Sequence, residues 1–242
     1  MDTMLSPDTG LLDSTELGEE EDDFVNNDVP QLHRMWRNEK FAPELLHFNE
    51  RIVDNISELC EVVGEDLEQE RSEEQQDPND PGHVLRCVDL ERVKFVLRDY
   101  LRIRLWKISQ YPQHYLEPEN IKLLSDPERL FLRDYWNAKK EFFKSRALGA
   151  LPPTKQSLDD KIDLMDMVRR PNLERYIYVR IQDDIGPLEV PNSTITQDSQ
   201  SSRREDFVRG RTYLLRYSII RPFLMDDEHK GAEETWPKVD LV

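Results

Sequence analysis

The sequence predicts an α+β chain: an N-terminal helical bundle over residues 30–149, a linker over 150–171 and a small β-rich unit over 172–242. An acidic tail, residues 1–29, precedes them. Three observations predict this. Apolar residues between Leu45 and Phe142 recur three and four positions apart, the spacing of one face of a helix. After Pro171 the pattern changes to alternation, the period of a strand. The charge is also uneven, which separates the ends of the chain from its body.

Residues 1–30 hold ten Asp and Glu and no Lys or Arg, and Glu61 to Asp80 hold nine acids against Arg71 alone. The net charge is −17, yet the 212 residues after the first 30 carry 40 acids and 33 bases. An acidic run poor in aromatics buries too little apolar surface to offset the entropy of ordering, so residues 1–29 read as disordered. Leu5, Leu11, Leu12 and Leu17 sit among those acids. That is the composition of a segment that folds as a short helix on a partner, and equally of a solubilising tail.

The first long helix is expected from Pro43, with Leu45, Phe48, Ile52, Ile56, Leu59, Val63 and Leu67 on one stripe and the proline in the first turn. Residues 71–82, with two prolines, read as an exposed loop. A second helix follows over 84–109, with Leu90, Val93, Leu97, Tyr100, Leu101 and Ile108 in phase. Phe95, Ile103, Leu105 and Trp106 lie off that stripe, so this helix is apolar on more than one side and predicts neighbours on both. A third helix opens at Ser125-Asp126-Pro127-Glu128, the signature of a capping box, with Phe131, Tyr135, Ala138 and Phe142 as its buried face. Gly149 and Pro152-Pro153 end it. Strands are expected at 176–181, 188–190, 212–220 and 239–242, with polar loops at 191–205 and 226–237.

Chemistry is sparse. Eight glycines form no phosphate cradle and no nucleophile elbow. His83 and Cys87 are one helical turn apart but make only half a zinc site, so no metal and no cofactor is expected. Asp159, Asp160, Asp163 and Asp166 fall on one face if 158–168 is helical. A solvated amphipathic face explains them better than the metal-dependent phosphohydrolase they would otherwise suggest. Arg86, Arg92, Lys94, Arg98, Arg102, Arg104 and Lys107 make the helix at 86–107 basic and offer a DNA-binding module as an alternative. In so acidic a chain, forked pairing of arginines with carboxylates is the simpler use, and no autonomous nucleic-acid binding is expected. No apolar run approaches the ~18–20 residues of a membrane span. With two cysteines and no apolar N-terminal segment, the expected compartment is the cytosol or nucleus.

Residues 36–46 (WRNEKFAPELL) resemble the signature of the Sld-five family, subunit four of the eukaryotic GINS complex, W-x-N-E-x-x-A-P-E-L-L. Residues 90–105 (LERVKFVLRDYLRIRL), 171–180 (PNLERYIYVR) and 213–222 (YLLRYSIIRP) are similar to further blocks of that family, in the same order. The resemblance implies a helical A domain followed by a β-rich B domain. It further implies a non-catalytic nuclear scaffold in an obligate heterotetramer with three sister subunits. That complex joins the MCM ring and the CDC-forty-five protein in the replicative DNA helicase; the acidic tail, residues 1–29, falls outside the resemblance and is a candidate contact for a replisome adaptor. The positions that carry the resemblance are Trp36, Asn38, Glu39, Phe41, Ala42, Pro43, Glu44, Leu45, Tyr100, Arg102 and Arg104, with Trp106 beside them. They define the fold or line the subunit interface, and both readings stand. Tyr176, Tyr178, Leu215 and Tyr217 are expected in the B-domain core.

Overall fold

The structure is a computed structural model, which describes residues 27–72, 80–159, 161–162, 165–183, 185–191, 202–225 and 238–242. The expected disordered tail lies outside the described residues except for its last positions, where a helix has already begun. Helix α1 (Asp28–Phe41) starts with an acid in its first turn and carries Lys40 in its last, both favourable to the helix dipole. It stops because Ala42 precedes a proline and takes an extended conformation, φ −64° and ψ 136°.

That stop corrects the expected position of the first long helix. Pro43 does not open it. Residues 42–49 are a non-helical strap, and helix α2 (Glu50–Ser72) begins after it, with Asn49 Oδ1 accepting from the Ile52 amide at 3.3 Å. Leu45 and Phe48 share the helical spacing of Ile52 and Ile56 but belong to the strap. Helix α3 (Pro81–Gln110) is capped by Asp80, whose carboxylate accepts from the His83 amide, and has proline at its first position. A short helix α4 (Pro112–Tyr115) and a 3-10 turn (Ile121–Leu123) lead to helix α5 (Asp126–Arg146). Its capping box is formed: Ser125 Oγ accepts from the Glu128 amide, and the Ser125 amide donates to Glu128 Oε2 at 2.9 Å.

Two apolar clusters hold the helical part. Leu32 of α1, Ile52, Ile56 and Cys60 of α2 and Val96 of α3 form one. Leu45 of the strap, Ile108, Tyr115, Leu124 and Leu132 form the other.

Residues 159–166 correct the expectation of a short helix there. Strands β1 (Lys161–Ile162) and β2 (Met165–Asp166) pair antiparallel, so Asp159 and Asp166 share no helical face. Asp160 and Asp163 lie outside the described residues. Strand β3 (Tyr176–Ile181) follows, then β4 (Pro187–Pro191), β5 (Ser202–Asp206), β6 (Thr212–Arg216), helix α6 (Tyr217–Met225) and β7 (Val239–Leu241). The antiparallel order is β6-β3-β7, while β4 and β5 pair separately. Two expectations change here. Residues 202–205 are strand rather than loop, and 217–220 are helix rather than strand. The turn into α6 is fixed by neighbours: the Tyr217 and Ser218 amides donate to the Arg175 and Leu173 carbonyls. Ile220 then packs on the sheet with Ile177, Val179, Ile181, Leu215, Val239 and Leu241.

Candidate functional site

The strap and the helices around it enclose a network of charge inside the bundle. Arg104 of α3 has no exposed surface. Its Nε and Nη2 fork onto Glu128 at 2.7 and 3.0 Å, its Nη1 donates to Glu39 Oε2 at 3.1 Å, and the Leu46 and Leu123 carbonyls each accept at 2.8 Å. The planar guanidinium also lies 5.2 Å from the Phe48 ring centroid and 5.7 Å from that of Tyr100. One turn on, Lys107 Nζ donates to Glu39 Oε1 at 2.7 Å and to the carbonyls of Glu39 and Glu44.

Burial works against the charge on both cations. At Arg104 the Glu39 and Glu128 carboxylates more than offset it and raise the pKa above its ordinary value. At Lys107 burial prevails over Glu39, and the pKa falls. Burial raises the Tyr100 hydroxyl well above the usual phenol range. Tyr115 is likewise buried and raised, and its hydroxyl accepts from the Leu45 amide at 3.1 Å. Arg104, Lys107 and Tyr115 thus tie the strap to α3 and α4.

Helix α1 and the strap together fix the β unit. Asn38 Oδ1 accepts from the Leu241 amide at 2.8 Å, which fastens the edge of β7 to α1. Arg34 pairs with Asp240, which also accepts from Gln182 at 2.6 Å. Arg221 of α6 forks onto Glu44 at 2.6 and 3.1 Å. Ala42 is buried in the sheet's own core. Tyr217 is fully buried, and its hydroxyl is pushed far up by burial and by Glu44.

The sequence-predicted residues therefore divide. Asn38, Glu39, Ala42, Glu44, Leu45, Tyr100 and Arg104 are buried, with Pro43 partly so, around one strap. Trp36 is half-buried and its indole N–H donates to Asp99 Oδ2 at 2.7 Å, joining α1 to α3. Phe41, Arg102 and Trp106 are exposed in the isolated chain, Trp106 by 61%. Leu215 and Tyr217 lie in the β core, but Tyr176 and Tyr178 do not: they are 49% and 58% exposed. Successive strand side chains point to opposite faces, and Ile177, Val179 and Ile181 take the inner one. Lys107, Glu128, Arg34, Asp240 and Arg221 carry the network beyond the predicted set. Arg104 and Lys107, in phase with Tyr100 and Ile108 of the apolar stripe, are the signal that could have pointed to it.

A second correction concerns α5. Its expected buried face is largely open: Phe131 is 37% and Phe142 58% exposed, and Ala138 is exposed as well. Leu130 and Phe143 add to this surface, and Val84, Leu85, Val88 and Phe95 expose a comparable one on α3. The bases of α3 are mostly engaged inside the chain: Arg86 with Glu70, Arg92 with Asp89, Arg98 and Lys94 with Glu91, and Arg104 and Lys107 as above. Among the described residues no group of three or more His, Cys, Asp or Glu could hold a metal ion, and no helix is long and apolar enough to cross a membrane.

The chain is thus a helical bundle that buries charge at its centre, holds a small β unit against α1 and the strap, and leaves apolar faces of α3 and α5 exposed. Residues 61–147 match the family model described as the GINS complex protein helical bundle domain. The chain is 31% identical over 202 residues to the human DNA replication complex GINS protein SLD5, covering 81% of this chain and 85% of that protein. It is 33% identical over 202 residues to the Arabidopsis thaliana protein of the same description, covering 81% and 86%. It is 32% identical over 203 residues to that of Schizosaccharomyces pombe, covering 83% and 89%. The chain belongs to the SLD5 family of GINS DNA replication complex proteins.

Proposed function

We propose that this chain is a non-catalytic scaffold subunit of a heterotetrameric GINS complex, assembled with three sister subunits in the nucleus. In this reading the complex joins the MCM ring and the CDC-forty-five protein in the replicative DNA helicase, and residues 1–29 serve an accessory contact to a replisome adaptor. Domain limits of 30–149 and 172–242 fit it, with 150–171 as the linker. The observation that carries it is the open aromatic surface of α5, from Leu130 to Phe143, together with Val84 to Phe95 of α3. Exposed apolar patches on this scale mark partner surfaces, and burial of such surface gives roughly 25 cal/mol per Å². Phe41 and Trp106 join the interface set, while Asn38, Glu39, Glu44 and Arg104 shape the fold beneath it.

Co-expression with the three sister subunits tests this. The expected product is a stable 1:1:1:1 complex, with the chain poorly soluble alone. Phe142→Asp is expected to abolish co-purification without loss of helical circular dichroism. A monodisperse, soluble monomer that ignores its sisters would sink the proposal.

A further inference from the structure

The outer face of the three-stranded sheet is cationic in a chain where Asp and Glu outnumber Lys and Arg 50 to 33. Its outward positions on β3 and β6 are Tyr176 beside Arg216, Tyr178 beside Leu214, and Arg180 beside Thr212. Two arginines stand there: Arg180 is exposed, while Arg216 Nη1 also donates to Glu174 Oε2, just before β3, at 3.4 Å, a solvent-exposed pair that a phosphate can replace. The third strand places Asp240 beside Arg180, but that carboxylate is buried under Arg34 of α1. Arg175, Arg211 and Lys238, each directly before a strand of this sheet, are exposed as well, against Glu174 and Asp183 at the strand ends.

Tyr178 is 58% exposed, although an aromatic ring on a strand is ordinarily spent on packing. Arg216 lies over the Tyr176 ring at 5.7 Å and donates to its hydroxyl at 3.3 Å, which holds that ring in place. Tyr176 and Tyr178 are two strand positions, or about 6.7 Å, apart. That is about twice the 3.4 Å rise of a stacked nucleic-acid strand, so the pair suits the unstacked bases of an extended single strand and not a duplex. Aromatics on a sheet surface with flanking arginines recognise such strands by base stacking and phosphate pairing.

We propose that Tyr176, Tyr178, Arg180 and Arg216 form a contact site for single-stranded DNA, with the tyrosines stacking on bases and the arginines meeting phosphates. The proposal rests on membership of a DNA replication complex. The net charge of −17 opposes tight autonomous binding, so this contact is weak, sequence-tolerant and effective where a strand is already held nearby.

The test uses the co-purified complex with the full chain and a short labelled oligo-dT, read by fluorescence anisotropy across a salt series. Tyr178→Ala is expected to weaken binding about tenfold, and Tyr178→Phe to retain it. Arg180→Ala is expected to flatten the slope of log affinity against log salt by about 0.7. Absence of binding at low salt, or affinity unmoved by Tyr178→Ala and Arg180→Ala, overturns the proposal. So does a Tyr178→Ala chain that fails to co-purify, because the face would then belong to a protein partner. Subunit stoichiometry of the wild-type complex reads the scaffold function separately, and failure of that complex to form overturns the assembly on which this contact rests.

Discussion

Arg104→Met is the sharpest perturbation of the bundle, because it keeps an unbranched apolar stem and removes the charged guanidinium. The wild-type guanidinium has five hydrogen-bonded contacts, of which three go to carboxylate oxygens, and no exposed surface. Without it, Glu39 still has Lys107 at 2.7 Å, whereas Glu128, among the described residues, keeps the Ser125 amide at 2.9 Å and no cation. Removing one partner of a buried ion pair costs about 3–5 kcal/mol, chiefly because the other charge is stranded. We take about 4 kcal/mol, or roughly a thousandfold in the local opening equilibrium. Hydrogen exchange of the chain in its complex measures this. Amides over 104–108 and 126–132 are expected to exchange roughly a thousandfold faster. The double variant Arg104→Met/Glu128→Gln relieves the stranded charge and is expected to recover about 1–2 kcal/mol. A single-variant effect below about 1 kcal/mol would place Arg104 among weakly contributing surface pairs. Strictly additive losses in the double variant would likewise refute the network.

Two further outcomes are expected. Asn38→Ala removes the acceptor for the Leu241 amide. It should speed exchange of residues 239–241 by the equivalent of about 1–3 kcal/mol while leaving helix content unchanged; unchanged exchange would mean β7 is held without this clamp. His114 has its pKa lowered, first by burial, with Glu117 opposing and Arg170 assisting. Its neutral form is therefore favoured by folding, so its contribution is complete above the unfolded value of about 6.5 and is lost as pH falls below it. Wild type should lose thermal stability between about pH 7.5 and 5.5 more steeply than His114→Gln; parallel profiles would assign the dependence to other groups.

The linear pattern carried much of the architecture. The capping box at Ser125 and Glu128 rests on atoms within four residues of one another, so local chemistry alone decided it. Strand β3 coincides with the alternating run at 176–181 for the same reason: the period of two is a backbone property. What the period could not state was which side faces the core. Tyr176 and Tyr178 were expected inside because aromatics bury well, but the β-branched neighbours fit beneath α6 and the tyrosines face out. The first helix was misplaced because Leu45 and Phe48 happen to lie in phase with Ile52 and Ile56, although the Ala42-Pro43 pair forces the chain out of helix. The face of α5 that its periodicity predicts as buried differs for another reason. The periodicity is real, but the surface it covers is open in the isolated chain.

By itself, then, the sequence determined the class of the chain: helices and strands in order, uneven charge, and motif blocks that resemble one family. These are properties of neighbours along the chain, where spacing and capping act over a few residues. Only the tertiary structure decided what the charged residues do. Arg104, Glu39, Glu128 and Lys107 come from three helices, with 65 residues separating Arg104 from Glu39. Asn38 and Leu241 are 203 residues apart. A charge becomes structural only when folding removes it from water and supplies its partner. No local pattern encodes that pairing, so the strap that joins the helices to the sheet appears only once the chain has closed upon it.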